Sequence, residues 1–244
     1  MSPVLANQKE VSLSKRFYEN AGIAAFGDDF AVELDGRAVK TPAGKPLAVA
    51  SSALAQALAD EWQRQGDKID PRSMPLTGLV NTGLDRTGLE RPAMVRSVLR
   101  FAETDVLCYR AEAPQDLVDL QHQSWQPLLD WADKTFGARL RITSGILPVA
   151  QPPEAINALE PALDVFGDLE FTAVSSLAAA CGSLILSLAL AHRHIDADQA
   201  FAAAELDHDY QVRQWGTDAE AEARQRSLRS DIAIANSVLV HLRG

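Results

Sequence analysis

The stretch FAVELDGRAVKTPAGKPLAVA, residues 30–50, decides the fold of the first part of the chain. Phe30, Val32 and Leu34 alternate with other residues and place apolar groups on one face of a strand. The Asp-Gly dipeptide at 35–36 follows at once, and it supplies the positive φ angles of a tight hairpin turn. Short apolar segments continue to alternate with turn residues through the rest of the stretch. The pattern predicts a small antiparallel sheet.

The next stretch, SSALAQALADEWQRQG at residues 51–66, has the pattern of a helix. Ser51 or Ser52 is placed to cap its first turn, because a serine hydroxyl there accepts a hydrogen bond from a backbone N–H group. Apolar side chains recur every four residues, at Leu54, Leu58 and Trp62. We therefore expect this helix to lie on the sheet.

Residues 67–78, DKIDPRSMPLTG, combine two prolines with a glycine and predict a break between two parts of the chain. We expect an N-terminal α+β domain over residues 1–75, made of the small antiparallel sheet and its packed helix. Residues 76–244 are expected to form a larger all-helical domain. The predicted fold class is α+β.

Beyond the break, the apolar spacing is helical. An apolar stripe runs from Val95 to Tyr109, which makes FAETDVLCYR, residues 101–110, the end of a helix rather than a strand. A further helix is expected over 117–136 and stops at Gly137, and another runs through the apolar segment that ends at 191. Asp198 is expected to cap a helix that reaches Trp215. The last helix is expected to begin at Thr217, which has capping-box spacing to Glu220.

Composition and charge exclude several classes of partner. The 244 residues are 47% hydrophobic and carry a formal net charge of −10. This charge opposes binding to nucleic acid and to anionic lipid surfaces. The apolar run LAAACGSLILSLALA, residues 177–191, is shorter than the roughly 20 residues that cross a bilayer. We interpret it as a buried core helix, without membrane insertion.

The N-terminal residues and the cysteines indicate the compartment. The first residues lack the apolar stretch of a secretory signal and the arginine-rich character of a transit peptide. Cys108 and Cys181 are far apart and form no CxxC motif, so neither a disulfide framework nor a zinc site is expected. A reducing cytoplasm fits best. Asp105 lies close before Cys108, and a carboxylate disfavours the thiolate, so a packing role is favoured for this cysteine over a reactive thiol.

The sequence contains no P-loop, dinucleotide-binding, nucleophile-elbow or zinc-protease motif, and no cofactor or metal is expected. The densest acidic cluster is ELDHDYQ, residues 205–211. Its side chains would serve as a general base or hold a divalent cation if they converged. On one helix, however, Asp207, His208 and Asp209 point in three directions. A solvated acidic face is therefore the favoured interpretation.

Four tryptophans, Trp62, Trp125, Trp131 and Trp215, lie near polar residues on predicted helices or helix ends. Each is either a core anchor or, where it is partly exposed, a contact for another protein. The sequence favours the core for each one taken singly and leaves the second interpretation open.

Seven segments of the sequence, taken together, resemble those of one protein family. They are KRFY at 15–18, LDGRAVKTPAGKPL at 34–47, ADEWQRQGDKIDPRSMPLTGLVNT at 59–82, ETDVLCYRA at 103–111, LLDWADKTFG at 128–137, GILPVAQ at 145–151 and YQVRQWG at 210–216. The chain resembles the assembly chaperone family of F-type ATP synthase, whose members act on the alpha subunit of the catalytic sector. The resemblance follows nearly the whole chain in order.

The resemblance implies a function without catalysis and without a cofactor, in which free alpha subunits are held soluble until beta subunits take their place. It implies the bacterial form of a family that also occurs in mitochondria, and a sheet-and-helix part followed by a helical part. An acidic position near the C-terminal end matters for function in this family. The partner-binding candidates are Glu205, Asp207 and Asp218, together with Trp215 as an aromatic contact.

Two other hypotheses stay open on the sequence. A small-molecule enzyme would use an acid–base or metal site on Glu205, Asp207 and His208, and these groups would have to converge in a concave pocket. A structural subunit would be recovered in stoichiometric amount with the finished synthase. A chaperone instead needs exposed aromatic and apolar side chains, with acidic groups that meet basic residues of the client.

Overall fold

A four-stranded antiparallel sheet forms the N-terminal part of the protein, whose computed structural model describes residues 13–145, 149–216 and 218–243. The strands are β1 (Ala21–Phe26), β2 (Asp29–Leu34), β3 (Arg37–Ala38) and β4 (Ala48–Val49). β2 lies in the centre, with β1 on one side and β3 and β4 on the other. This arrangement confirms the predicted sheet.

The Asp-Gly turn sets the register between β2 and β3. Asp35 has a φ of 48° and Gly36 a φ of 75°, the pair of positive angles that a type I′ hairpin turn requires. Leu34 therefore pairs with Arg37 across the turn. Val32 and Leu34 are buried, which places the alternating apolar residues of β2 in the core as the pattern predicts.

One helix packs on the sheet and nine more follow in the described residues. Their bounds are α1 (Ser52–Gln63), α2 (Pro75–Thr82), α3 (Gly88–Glu103), α4 (Gln115–Phe136), α5 (Pro153–Asp164), α6 (Asp168–Cys181), α7 (Leu184–Ala191), α8 (Ala197–Ala204), α9 (Leu206–Trp215) and α10 (Ala219–Leu242). A turn of π-helix spans Gly83–Thr87, and a short parallel pair joins β5 (Tyr109–Arg110) to β6 (Thr143–Ser144). The α+β class is confirmed, whereas the part after residue 75 is mainly helical rather than all-helical, because it contains the β5–β6 pair.

The two helices with the clearest sequence patterns have the predicted ends. The Ser51 hydroxyl accepts a hydrogen bond from Leu54 N–H at 3.2 Å and caps α1. Gly137 ends α4 with a φ of 74°, a left-handed conformation that favours glycine. Local capping chemistry therefore decides these boundaries.

Two predicted helices differ from the structure, one at its C-terminal end and the other by an internal break. α3 ends at Glu103 and does not continue to Tyr109, because Asp105 leaves the helix and its side chain accepts a hydrogen bond from Leu107 N–H at 3.1 Å. The single helix expected to run through 191 is two helices. Gly182 breaks it with a φ of 63°, and Ser183 caps the second piece.

The start of α8 and the start of the last helix also differ from the prediction. The cap of α8 is Asp196 rather than Asp198, since the Asp196 carboxylate accepts a hydrogen bond from Gln199 N–H at 2.8 Å. The helix expected to reach Trp215 is divided at residue 205 into α8 and α9. Thr217 lies outside the described residues, and α10 is capped by Asp218.

The core is one cluster of buried side chains drawn from the sheet, α1 and the later helices. All eight residues of α7 are buried, which confirms the predicted core helix. Within the described ranges, no helix has both the length and the apolar character that a bilayer-spanning segment needs. The division into domains at residue 75 stays a prediction.

The π-helical turn lies against α6 because Gly83 has no side chain. A Cβ atom on Gly83 would lie 2.5 Å from Leu169 Cδ2 and 3.2 Å from Thr172 Oγ1. We expect Gly83→Ala to lower the free energy of unfolding by about 1–3 kcal/mol, the usual cost of overpacking. Urea denaturation measures this change.

Gly78 supplies the matched control, because a Cβ there would meet nothing within 4 Å. Gly78→Ala in α2 should raise the free energy of unfolding by up to about 1 kcal/mol, since alanine is the better helix former. A Gly83→Ala variant as stable as Gly78→Ala would show that the close approach to α6 does not matter.

Candidate functional site

The predicted acidic cluster lies at the junction of α8 and α9. Glu205 stands between these helices, and only 2% of its surface is exposed. Its two carboxylate oxygens accept hydrogen bonds from the guanidinium group of Arg224 in α10, at 2.9 and 2.7 Å. Such bidentate pairs are geometrically specific. Because its carboxylate is buried and paired, Glu205 joins the α8–α9 junction to α10 and does not present a contact surface.

Asp207 is half-buried and faces α4. Its Oδ1 accepts a hydrogen bond from the side-chain amide of Gln121 at 2.7 Å. The backbone carbonyl of Gln121 accepts a hydrogen bond from the buried Arg110 guanidinium at 2.6 Å. Burial lowers the pKa of Arg110, and the nearby Asp207 carboxylate acts in the opposite direction. The Asp207 carboxylate thus belongs to a network that ties α9 to α4 and β5.

The remaining members of the cluster point in separate directions. Asp209 accepts a hydrogen bond from Gln225 of α10 at 2.8 Å, and the Tyr210 hydroxyl donates one to Asp116 of α4 at 2.9 Å. His208 Nε2 is buried and has no hydrogen-bond partner within the described part of the chain. Across residues 13–145, 149–216 and 218–243, no group of three His, Cys, Asp or Glu side chains is placed to hold a metal ion. The side chains connect α9 to its neighbours and do not converge on a reacting centre.

The end of α9 carries the aromatic member of the predicted set. Trp215 is the last residue of this helix, and 79% of its surface is exposed. Asp218 is also exposed, and its carboxylate accepts a hydrogen bond from Ala221 N–H at 2.8 Å, which caps α10. Exposed aromatic side chains are typical of protein contact surfaces. We call Asp207, Trp215 and Asp218 the α9 surface.

The other three tryptophans are packed. Trp125 is 1% exposed, and its indole N–H donates a hydrogen bond to the Ala203 carbonyl at 2.9 Å. Trp131 stacks on His194, with 4.8 Å between ring centroids and an angle of 10° between the planes. Trp62 packs edge-on against Tyr18. The core interpretation is confirmed for Trp125 and is wrong for Trp215, whose side chain has the exposure that partner contact requires.

Both cysteines are free and buried. Burial, together with the nearby Asp105 carboxylate, raises the pKa of Cys108 and of Cys181 to about 12. The thiols are therefore protonated at neutral pH, and the thiolate that nucleophilic chemistry needs is not formed. The predicted packing role of Cys108 is confirmed.

Sequence reasoning missed the residues that hold the acidic cluster in place. Gln121 lies 86 residues before its hydrogen-bond partner Asp207, and nothing in its local sequence marks it. Arg110 lies within the segment ETDVLCYRA, but its position beside Gln121 and Asp207 depends on the packing of α4 against α9. Arg224 carries no local signal for its pairing with Glu205.

The chain is similar over most of its length to proteins that are already known. A family model described as ATP12 chaperone protein matches residues 15–133. Protein atp12, mitochondrial, of Schizosaccharomyces pombe is 25% identical over 232 residues, which cover 90% of this chain and 80% of that protein.

Two solved structures share its fold closely. The crystal structure of Atp12 from Paracoccus denitrificans matches with a TM-score of 0.86 and 36% identity, covering 94% of this chain and 99% of that chain. The Atu1473 protein from Agrobacterium tumefaciens matches with a TM-score of 0.87 and 39% identity, covering 94% of this chain and 87% of that chain.

Proposed function

The chain belongs to the ATP12 chaperone protein family, and from this premise we propose that it binds the free alpha subunit of F-type ATP synthase. It keeps that subunit soluble until the beta subunit takes its place. The observation that carries the proposal is the 36–39% identity to two solved bacterial proteins over 94% of the chain. The activity is binding, with no bond made or broken.

The physical need for such a chaperone follows from subunit assembly. An unassembled subunit exposes the apolar surface that its neighbour later covers, and such a surface promotes aggregation. A protein that covers the surface prevents this. Because it must leave again, its interface is moderate in size and partly polar.

The α9 surface is the proposed contact. Trp215 offers a large exposed aromatic side chain for an apolar part of the client. Asp207 and Asp218 add negative charge to this surface, and the net charge of −10 attracts a basic client surface over longer distances. The ion pair between buried Glu205 and exposed Arg224 positions this surface by holding the α8–α9 junction against α10.

We place the protein in the cytoplasm of a bacterium. The bacterial sources of the two similar structures support this location. The named relative from Schizosaccharomyces pombe is mitochondrial, and mitochondria also assemble an F-type ATP synthase.

Co-expression with a single subunit tests the function. The alpha subunit produced alone should precipitate, and with this chain it should stay soluble and co-purify. The beta subunit should gain no solubility. The chain should also be absent from the finished synthase, because a chaperone leaves and a structural subunit stays. An alpha subunit that precipitates equally with and without the chain would overturn the proposal.

Trp215→Ala should weaken binding of the alpha subunit by about tenfold or more, as expected for an exposed aromatic anchor. Calorimetric titration of the purified partners measures the affinity. Leu89→Ala in α3 is the matched control, since Leu89 is 82% exposed and its loss should change the affinity less than about twofold.

Asp207→Asn in the same assay removes the charge, while the amide oxygen still accepts the hydrogen bond from Gln121. It should weaken binding at low salt more than at high salt. If neither Trp215→Ala nor Asp207→Asn changes binding, the α9 surface is not the contact, and the co-expression result still decides the function.

A further inference from the structure

The sheet has an open edge along β1. Within the described residues, β1 pairs with β2 alone. Val32 of β2 donates a hydrogen bond to the Leu47 carbonyl at 3.0 Å and accepts one from Val39 N–H at 2.8 Å. Both backbone groups of Val32 thus point away from β1. Its partner Ile23 therefore turns its own N–H and C=O toward the open edge, and by alternation Ala25 does the same.

These outward groups are ready to pair with another strand. The next outward donor, Ala21 N–H, is already held by Gln63 Oε1 at 2.6 Å. No hydrogen bond between described residues uses the outward groups of Ile23 or Ala25. They repeat at about 7 Å along the strand, which is the spacing at which an added antiparallel strand donates and accepts.

β1 also lacks the features that protect natural edge strands. Such strands usually carry a lysine, a proline or a bulge that prevents pairing. The sequence of β1 is AGIAAF, without charge or proline, and it pairs with β2 over six consecutive residues without a bulge. Phe26 at its end is 49% exposed, and Phe17 before it is 74% exposed. The edge is apolar, regular and unprotected.

The charge of the hairpin restricts what can bind there. Asp28 and Asp29 form and flank the turn, and Glu33 lies on β2. Residues 21–34 contain no lysine or arginine. An added strand with basic side chains near the turn is therefore favoured, and a second acidic segment is repelled.

We propose that the open edge of β1 binds an extended segment of the client polypeptide as an added strand. The segment carries alternating apolar side chains and at least one lysine or arginine near Asp28 and Asp29. The inference rests on the proposed function and gives the chaperone a second contact besides the α9 surface. Backbone pairing suits an unassembled subunit, because it recognises an extended chain more than a particular sequence. The few outward groups at Ile23 and Ala25 keep this contact reversible.

Hydrogen exchange on the full-length protein tests the pairing directly. In the complex with purified alpha subunit, the amide protons of Ile23 and Ala25 should exchange at least about tenfold more slowly than in the free protein. Unchanged exchange at both amides, at saturating alpha subunit, would overturn the inference.

A proline at residue 25 tests the same edge by mutation. The Ala25 N–H points outward, so Ala25→Pro removes it without breaking a β1–β2 hydrogen bond. Binding of the alpha subunit should weaken by about tenfold or more. Ala25→Ser keeps the N–H group and should bind within twofold of the wild type. If the proline variant does not fold, exchange on the wild-type protein gives the answer.

A photo-crosslinking residue in place of Phe26 identifies the occupant. Crosslinks to an extended segment of the alpha subunit support the inference. Crosslinks confined to a second copy of this chain, or to its own residues 1–12, overturn it. If the wild-type protein keeps the alpha subunit soluble but β1 shows neither slowed exchange nor crosslinks to that subunit, this inference alone is refuted. A wild-type protein that does not bind the alpha subunit refutes the proposed function as well.

Discussion

Replacing Glu61 with alanine should lower the free energy of unfolding by about 3 kcal/mol or more. Glu61 of α1 is buried, and its carboxylate accepts hydrogen bonds from Leu76 N–H at 2.9 Å, Thr77 N–H at 2.7 Å and the Thr77 hydroxyl at 2.8 Å. These donors lie in the first turn of α2, where the helix dipole also favours a negative charge. Alanine would leave them buried without an acceptor, and each such group costs about 1–3 kcal/mol.

The neighbouring carboxylate gives the control. Asp60 is exposed and accepts a hydrogen bond from Gln56 on the helix surface. Asp60→Ala should change the free energy of unfolding by less than about 0.5 kcal/mol. Glu61→Gln keeps one acceptor oxygen and should give an intermediate loss. Equal urea midpoints for the alanine variants at 60 and 61 would show that the carboxylate does not hold α2 against α1.

Asp105 should make the stability of the protein depend on pH in a direction opposite to most carboxylates. The side chain is fully buried and accepts hydrogen bonds from Leu107 N–H and Ile185 N–H, each at 3.1 Å. Burial raises its pKa from 3.8 to about 6, and the hydrogen bonds to the carboxylate oppose this shift. The folded state therefore holds this proton more tightly than the unfolded state does.

The sign of the pH effect follows from that difference. The stabilising effect of the bound proton is fully present below pH 4 and is lost as the pH rises through about 6. Asp105→Asn has no ionisable group at this position. Between pH 4 and pH 7, the wild type should lose about 2 kcal/mol of unfolding free energy relative to Asp105→Asn.

Urea denaturation of both proteins at pH 4, 5, 6 and 7 measures this difference and cancels the other carboxylates, which the two proteins share. Asp35 and Asp70, for example, have pKa values lowered by hydrogen bonds to backbone N–H groups and to Arg72, and they act in the opposite direction. A difference between wild type and variant that stays constant from pH 4 to pH 7 would contradict the buried, protonated state of Asp105.

Predictions from local patterns succeeded where neighbours within about four residues decide the structure. Asp35 and Gly36 specify the hairpin turn, and Ser51 caps α1, because each effect is completed within a single turn. The prediction failed at Glu103 and at Gly182. At Gly182 the signal is local, a left-handed glycine followed by the capping Ser183, and the continuous apolar run outweighed it in the prediction. At Glu103 the apolar stripe continues past the helix end, but Asp105 is drawn out of helical geometry toward Ile185, a residue 80 positions away.

The candidate site shows the same limit. The sequence around residues 205–218 identifies acidic and aromatic residues as candidates for partner binding, and its resemblance to known proteins leads to the correct family. They do not separate Glu205, which is buried against Arg224, from Trp215, which is 79% exposed. Both residues lie in similar polar surroundings along the chain, so only the position of α10 distinguishes them.

The α+β class, the hairpin register and the family follow from local features, because periodicity, turn chemistry and shared sequence segments are properties of the chain. Three features depend on tertiary packing: which acidic groups are buried, how Gln121 reaches Asp207, and that β1 has an open edge among the described residues. Burial and exposure depend on which distant segments pack together, and a local pattern carries no information about the segment that will cover it.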